Sequence, residues 1–306
     1  MSKDSAKAPI ILFVYNRPVH TRQTVEALQN NELAAESELF IFSDGSKSEC
    51  DLKQVQDVRE YLRTIKGFKN LTITERESNF GLAKSIIEGV TEIVDRFGMA
   101  IVLEDDLITA PFFLRYMNDA LSFYHDEPRV MHVSGGTYPI HDFGTDDTYF
   151  LRIPLCWGWG TWKRAWDKFD NKIELMQQFN SRMISRFDFD GTYAYWAQLE
   201  LNRTGKLNTW FIFWYAIVFL NTALVLFPKK PLVKNIGHDG SGMHSGKTDM
   251  YDVKLSSVPI KVSIIPLQES REAFYRHKQY FRSIYPKFYS HMLSSVIRLA
   301  KKLINL

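Results

Sequence analysis

The sequence contains little cysteine, little net charge and none of the common nucleotide-binding or nucleophile motifs. Its 306 residues include two cysteines, too few for a disulfide framework and without metal-site spacing, so we expect a reducing compartment, the cytoplasm. The formal net charge of +3 gives no reason to expect a nucleic-acid partner. The glycine-rich dinucleotide fingerprint, the Walker A loop and the G-x-S-x-G elbow are absent, which argues against dehydrogenases, ATPases and serine hydrolases.

Long apolar runs are also scarce. Met1–Pro9 lacks the apolar core of a secretory signal peptide. The segment that comes nearest to a membrane span is Trp210–Phe227, but Asn221 and Thr222 interrupt it and it falls short of the length of about 20 residues that a spanning helix needs. We predict a buried aromatic helix over Trp210–Leu220, then a turn and a strand up to Phe227, with a transmembrane helix as the alternative.

Hydrophobic residues make up 45% of the chain and are arranged as buried strands that alternate with helices. Apolar runs predict strands at Pro9–Tyr15, Leu39–Phe42 and Met99–Leu103, and the segment Leu71–Thr74 predicts another. Helical patterns separate these strands at Thr21–Gln29, Leu52–Ile65 and Ala83–Phe97. This alternation predicts an α/β fold with a mostly parallel central sheet covered by helices on both faces. Ligands of such sheets bind at the carboxyl ends of the strands.

Three acids, Glu104, Asp105 and Asp106, follow directly on one of these predicted strands. Adjacent carboxylates at the end of a buried strand repel one another and lose solvation unless a cation compensates them. Carboxylate oxygens suit Mg²⁺ or Mn²⁺, which bind through one or two carboxylates together with substrate phosphates. The triplet therefore predicts a divalent-metal site for a phosphate-bearing ligand; the alternative is an acidic loop in water.

Four tryptophans lie within ten positions of a glycine-containing segment, Trp157–Trp166. Trp162 and Trp166 are four residues apart on a predicted helix, which favours a place in the core. For Trp157 and Trp159 two interpretations stay open: a core corner, or flat apolar faces on which a sugar ring stacks.

A second unusual segment, Lys234–Gly246, contains four glycines and two histidines and predicts a loop. Histidine can ligate a metal, and a serine- and glycine-rich loop can offer backbone N–H groups to phosphate. We expect this loop to form a second arm of the acidic site, with His244 as its candidate metal or diphosphate ligand.

The C-terminal region, Glu269–Leu306, predicts a helix whose apolar residues recur at helical spacing beside Arg298, Lys301 and Lys302. A basic amphipathic helix of this kind can touch anionic lipid at the inner face of the plasma membrane. The alternative is a helix that packs on the domain or at a homodimer interface.

Five segments in this order resemble nucleotide-sugar-dependent glycosyltransferases of the GT-A fold, of the family-two-like and N-acetylglucosaminyltransferase I-like kinds. They are Tyr15–Pro18, Ser43–Ser46, Asn79–Ala83, Glu104–Asp106 and Cys156–Gly160, and the resemblance covers roughly residues 9–246. It implies a Rossmann-like GT-A domain over residues 1–266, with a nucleotide-binding half at about 9–110 and an acceptor half at about 111–266. Residues 267–306 would then form a C-terminal helical extension.

The resemblance also implies roles for single residues. Asp106 would ligate the Mn²⁺ or Mg²⁺ ion that bridges the diphosphate, Asp105 would contact the ribose or the donor sugar, and Glu104 would orient that sugar. Arg17 and Asp44 would lie near the base and ribose of a nucleotide-sugar donor, with UDP as the expected nucleotide. The remaining candidate contacts to the donor are Tyr15, Asn79, Trp157 and Trp159.

The sequence departs from this family at the catalytic base. Inverting members carry a carboxylate just before a tryptophan that opens a helix, and the comparable segment here, Asn208-Thr209-Trp210, has none. Glu200 and Asp239 are the substitutes that we name; otherwise the base lies elsewhere, the stereochemistry is retaining, or activity is impaired.

The expected function is sugar transfer to a glycan or glycolipid in surface polysaccharide synthesis. The alternatives are a metal-dependent nucleotidyltransferase or phosphohydrolase, which would use the same acids and glycine loops, and a non-catalytic protein of the same fold that binds glycan or nucleotide sugar.

Overall fold

The computed structural model describes residues 7–140, 143–144, 146–240 and 248–284. Its strands are β1 (Ile10–Val14), β2 (Glu38–Ser43), β3 (Asn70–Glu75), β4 (Met99–Glu104), β5 (Leu107–Thr109), β6 (Val130–Ser134), β7 (Thr148–Leu151), β8 (Trp159–Trp162), β9 (Leu224–Pro228) and β10 (Val233–Asn235). Its α-helices are α1 (Pro18–Gln29), α2 (Glu49–Leu62), α3 (Leu82–Phe97), α4 (Phe113–Phe123), α5 (Lys163–Trp166), α6 (Ser181–Phe187), α7 (Tyr195–Arg203), α8 (Phe211–Leu220) and α9 (Arg271–Ile284). Short 3₁₀ helices lie at Ala34–Glu36 and Ile173–Gln178.

Eight strands form one sheet in the order β3-β2-β1-β4-β8-β6-β9-β7. Parallel pairing joins β1 to β2 and β4, β2 to β3, and β6 to β9. Because β8 lies antiparallel between β4 and β6, these six strands share one direction, and β8 and β7 run against it. The prediction of a mostly parallel central sheet is therefore confirmed, and β5 and β10 form a separate antiparallel pair.

The sheet separates two apolar cores, and β1 contributes alternate residues to each. Ile11 and Phe13 belong to the core that holds the buried face of α3, whereas Ile10 and Leu12 belong to the core that holds α1 and α4. Burial on both faces explains why β1 is a continuous apolar run without polar alternation. The predicted flanking of the sheet by helices is thereby confirmed.

The apolar segment Trp210–Phe227 folds as predicted, into the buried helix α8, a turn and the strand β9. Among the described residues, no helix combines the length and the apolar character that crossing a bilayer requires.

The described part of the C-terminal extension is helical, as predicted. In α9, Ala273, His277 and Phe281 are buried, and the helix lies against the edge strand β7. The basic amphipathic stretch around Arg298 lies outside the described residues.

The fold brings three polar turns together at one edge of the sheet. Residues 15–18, 44–46 and 105–106 follow β1, β2 and β4, which are parallel neighbours. Gly45 permits a close approach there, since a Cβ atom at this position would lie 2.5 Å from the backbone carbon of Ser78.

Candidate functional site

The acid turn, Glu104–Asp106, connects β4 to β5 and is clamped by helix α1. Thr24 Oγ1 donates a hydrogen bond of 2.8 Å to the carbonyl of Asp105 and accepts one of 3.1 Å from the N–H of Leu107. A buried hydroxyl that satisfies backbone groups on both sides of the turn holds its geometry. The turn is therefore a fixed part of the fold.

Arg17 supplies the positive charge that the acid turn requires. Its Nη2 donates to Asp105 Oδ1 and, at 2.9 Å, to Asp106 Oδ2. The three side chains are 19%, 6% and 14% exposed, so this ion pair is largely withdrawn from water. Burial by itself would lower the pKa of Arg17, but the two carboxylates outweigh burial and raise that pKa above its ordinary value.

Glu104 differs from its two neighbours, because among the described residues no hydrogen bond or ion pair reaches its carboxyl group. Burial, together with the charges of Asp106 and Asp105, raises the pKa of Glu104 to about 8, although Arg17 opposes the shift. Burial also raises the pKa of Asp105 to about 6 against the opposing effect of Arg17. A carboxyl group that stays protonated near neutral pH can donate a hydrogen bond to a ligand as well as accept one.

The described part of the glycine- and histidine-rich loop closes over the acid turn. It follows β10, which pairs with β5, and the N–H of Ile236 donates to the carbonyl of Asp106 at 2.8 Å. Gly237 packs so tightly that a Cβ atom would collide with Asp106 Oδ2 and lie 3.2 Å from Arg17 Nη1. The structure thus brings this loop to the acid turn, as expected, while His244 lies outside the described residues.

His238 presents two buried ring nitrogens that have no hydrogen-bond partner within the described ranges. Its ring meets Trp157 edge-on, with centroids 5.7 Å apart, and lies 4.9 Å from the ring of Tyr251. Burial lowers the pKa of His238, although Asp106 opposes the shift. From the sequence we named His244 of the same loop as the candidate ligand and gave His238 no role, because the sequence carries no local signal of which of the two histidines faces the acid turn.

The donor chemistry of the acid turn fits a hard divalent cation, since its side chains offer carboxylate oxygens. No three His, Cys, Asp or Glu side chains in the described part of the chain converge on one point, and Asp106 Oδ2 already meets Arg17. A cation here would therefore take its remaining oxygens from a ligand phosphate or water, as Mg²⁺ commonly does.

Asp44 and Asn79 follow β2 and β3 at the same edge of the sheet as the acid turn. Asp44 Oδ1 accepts from the N–H groups of Gly45 at 3.0 Å and Phe80 at 2.8 Å. Asp44 Oδ2 accepts from Gly81 N at 2.9 Å and Asn79 Nδ2 at 3.1 Å. Four donors fill the acceptor positions of a carboxylate. Direct contact of Asp44 with a nucleotide base, which the sequence led us to expect, has no lone pair to use in this conformation.

Tyr15 also directs its polar group into the protein. Its hydroxyl donates to Asp51 Oδ2 at 3.0 Å and accepts from the N–H of Lys47 at 2.9 Å. Only the ring of Tyr15 can contribute to a ligand contact without breaking these bonds.

Trp157 and Trp159, although two residues apart, differ in environment. Trp159 is 1% exposed, and its ring stacks on His132 at 5.2 Å and on Trp210 at 5.1 Å. Its role as a platform for the donor is therefore wrong: neighbouring rings occupy its stacking positions, so it belongs to the core. Trp157 is only partly buried and lies beside His238, which keeps it a candidate ligand contact. Trp162 and Trp166 are buried, as predicted. The helix predicted to carry both is wrong, because Trp162 ends strand β8 and only Trp166 lies on helix α5.

The two candidate bases lie in different surroundings. Glu200 is on α7, where its carboxylate accepts from Arg203 Nε at 2.7 Å. Asp239 follows Gly237 by two residues, and its Oδ2 lies 3.1 Å from Nε2 of His20 at the start of α1. Of the two, Asp239 is thus the one whose loop contacts the acid turn.

No family model matches the chain, and no curated protein matches it. Solved structures with distant similarity include Staphylococcus aureus TarS, at 13% identity and a TM-score of 0.42 over 74% of this chain and 36% of that one. Residues 1–349 of TarS match at 12% identity and a TM-score of 0.41, over 76% of this chain and 61% of that one. The mannosyltransferase PcManGT from Pyrobaculum calidifontis, in complex with GDP-Man and Mn²⁺, matches at 9% identity and a TM-score of 0.39, over 71% and 70%. The chain spans about a third of the length of the longer TarS chain, and similarity this distant carries no argument about function.

Proposed function

We propose that the chain is a metal-dependent glycosyltransferase that moves a sugar from a nucleoside-diphosphate sugar, UDP-linked by default, to a glycan or glycolipid. The observation that carries the proposal is the acid turn at the carboxyl end of the sheet, held by Thr24, partly neutralised by Arg17 and packed against Gly237. A fixed and buried cluster of carboxylates beside a glycine loop suits a ligand that brings its own negative charges and a cation.

In this proposal each of the three acids contacts a different part of the donor complex. Asp106 holds the cation, Asp105 meets the ribose or donor sugar, and Glu104, protonated near neutral pH, hydrogen-bonds a sugar hydroxyl. The cation, when bound, stabilises the negative charge that develops on the departing diphosphate. Positioning of donor and acceptor by the protein supplies the remaining rate enhancement.

Trp157 is the sugar-binding aromatic of the proposal. Its partly exposed indole lies beside His238 and Tyr251, and the loop of His238 contacts the acid turn. In the proposal this ring stacks on the transferred sugar or the acceptor, between a nucleotide-binding half at about 9–110 and an acceptor half at about 111–266.

Thermal-shift measurements with UDP-sugars and GDP-sugars, with and without Mn²⁺, test the proposal. A matching donor with Mn²⁺ should stabilise the folded chain by about 2.7 kcal/mol at a hundred times its Kd. Asp106→Asn should abolish the Mn²⁺-dependent part of this shift, whereas Asp126→Asn, at a side chain that is 97% exposed, should leave it unchanged. The proposal fails if no nucleotide sugar stabilises the chain, or if the Asp106 variant keeps its full Mn²⁺ dependence.

One observation favours a second function, that of a non-catalytic protein that binds nucleotide sugar. Residue 209, at the position where the resembled family carries its base, is Thr209, whose buried hydroxyl has no hydrogen-bond partner among the described residues. A product assay separates the functions: sugar transfer releases nucleoside diphosphate, nucleotidyl transfer releases pyrophosphate, and a binding protein releases neither.

A further inference from the structure

We propose that Arg17 is an exchangeable counter-ion of the acid turn, and that its guanidinium passes from Asp106 to the diphosphate of the donor when a divalent cation binds. Arg17 is thus a positioning residue that couples binding of the cation to binding of the nucleotide. The inference rests on the proposed function, because it takes a nucleoside diphosphate as the ligand.

Arg17 already contacts the carboxylate that is proposed to hold the cation. Arg17 Nη2 lies 2.9 Å from Asp106 Oδ2, and Gly237 packs against the same oxygen so closely that even a methyl group would collide. A cation bound to this oxygen would occupy the place of the guanidinium. A cation that binds Asp106 through this oxygen would therefore compete with the guanidinium for it.

The charges of Arg17, Asp105 and Asp106 do not balance. Two aspartates and one arginine leave a single negative charge, in a place where the side chains are 6% to 19% exposed. A dication added alone would lie against the guanidinium in a poorly screened site and be repelled by it. A diphosphate adds the negative charges that both positive groups can share, so cation and nucleotide should favour each other's binding.

The backbone of Arg17 is held in place, whereas its guanidinium can move. Its carbonyl accepts from the N–H and from the hydroxyl of Thr21, both at 2.9 Å, which ties its backbone to the first turn of α1. The guanidinium, on a flexible stem, can turn away from Asp106 without disturbing the helix. It would then lie near the N-terminus of α1, where the helix itself favours an anion.

Titration calorimetry of Mn²⁺ and UDP, each alone and each in the presence of the other, measures the coupling directly. For the wild-type chain we expect weak binding of Mn²⁺ alone and a gain of about tenfold or more when UDP is present. Arg17→Gln should bind Mn²⁺ alone about tenfold more tightly, bind the UDP–Mn²⁺ pair less tightly, and lose most of the coupling. Arg17→Lys keeps the charge and should restore a measurable part of it.

Arg22→Gln is the matched control, because Arg22 lies on the same helix and is 58% exposed. It should behave as the wild type in every titration. Since Arg17→Gln leaves buried acids without their partner, Arg17→Gln combined with Asp105→Asn provides a variant in which one positive and one negative charge are removed together. In this double variant too, the coupling should fall.

Two results would overturn the inference, and they differ in what they say about the proposed function. If the Arg17 variants bind Mn²⁺ alone no more tightly than the wild type and keep the coupling to UDP, the counter-ion role is wrong while the proposed function stands. If the wild-type chain itself binds neither Mn²⁺ nor UDP, both are wrong.

Discussion

The acid turn and the aromatic core around His132 both bury ionisable groups on the same sheet, but by opposite means. In the acid turn Asp105 and Asp106 keep their charges by sharing Arg17, whereas Glu104 has no such partner among the described residues. In the aromatic core, which we define as His132, Trp159, Trp210 and Trp214, the imidazole accepts from Trp214 Nε1 at 3.1 Å and donates to the carbonyl of Leu155 at 3.2 Å. The charged acid turn is the region that can interact with a ligand. The aromatic core, in which the imidazole is neutral and fully hydrogen-bonded, supports the sheet.

The two regions also respond to pH in opposite directions. Burial lowers the pKa of His132 to about 3, so the unfolded chain takes up its proton first and stability falls as the pH drops. Burial raises the pKa of Glu104 to about 8. The stability that its neutral form provides is therefore fully present below the ordinary carboxylate pKa and is lost as the pH rises through 8. A pH titration of stability therefore contains two opposing signals, which overlap between about pH 4.5 and 6.5.

The largest effect is expected from truncation of a core tryptophan. Trp159→Ala should lower the free energy of unfolding by about 3–5 kcal/mol, since it removes an indole enclosed by other rings. Trp157→Ala should cost about 1 kcal/mol and impair use of the sugar more than binding of the nucleotide. Urea unfolding followed by circular dichroism, with UDP titrations alongside, measures both. If Trp157→Ala lowered the free energy of unfolding as much as Trp159→Ala, Trp157 would be a core residue and not a ligand contact.

A smaller effect is expected at the candidate bases. Asp239→Asn should slow sugar transfer by about 10²-fold, because a base that loses its charge no longer accepts the acceptor's proton. Glu200→Gln should change the rate little, as its carboxylate is engaged by Arg203. Initial rates of UDP release with acceptor present test the pair, and a slow Glu200 variant beside a normal Asp239 variant would reverse the assignment.

The smallest effect is expected in the pH dependence of the free energy of unfolding, to which His132 contributes. Between about pH 6.5 and 4, His132 should lower the free energy of unfolding by about 1.4 kcal/mol for each unit of acidification. His132→Gln keeps an acceptor for Trp214 and a donor for Leu155 but does not titrate. Because the buried acids act in the opposite sense, the quantity to compare is the difference in slope between the two chains. Equal slopes would show that His132 does not carry this dependence.

Much of the fold could be predicted because its signals are local. Each of the four strands β1–β4 overlaps a predicted apolar run, and α8 and β9 follow the pattern read from Trp210–Phe227. The acid turn was likewise visible as three carboxylates after a buried strand. The roles of single side chains were harder to predict. Trp157 and Trp159 are two residues apart and both adjoin Gly158, yet the rings that cover Trp159 come from His132 on β6 and from Trp210, which precedes α8.

By itself, the amino-acid sequence determined strands β1–β4 and β9, helices α1–α3 and α8, and the need of Glu104–Asp106 for compensating positive charge, because burial, periodicity and charge act on neighbouring residues. Only the tertiary structure showed that Arg17 supplies positive charge to Asp105 and Asp106, that Gly237 packs against Asp106, and that three backbone N–H groups and Asn79 fill the acceptor positions of Asp44. Arg17 and Asp106 are 89 residues apart, and they meet because β1 and β4 pair as parallel neighbours. Pairing of strands so distant along the chain is a property of the assembled sheet, since it depends on which apolar faces pack together.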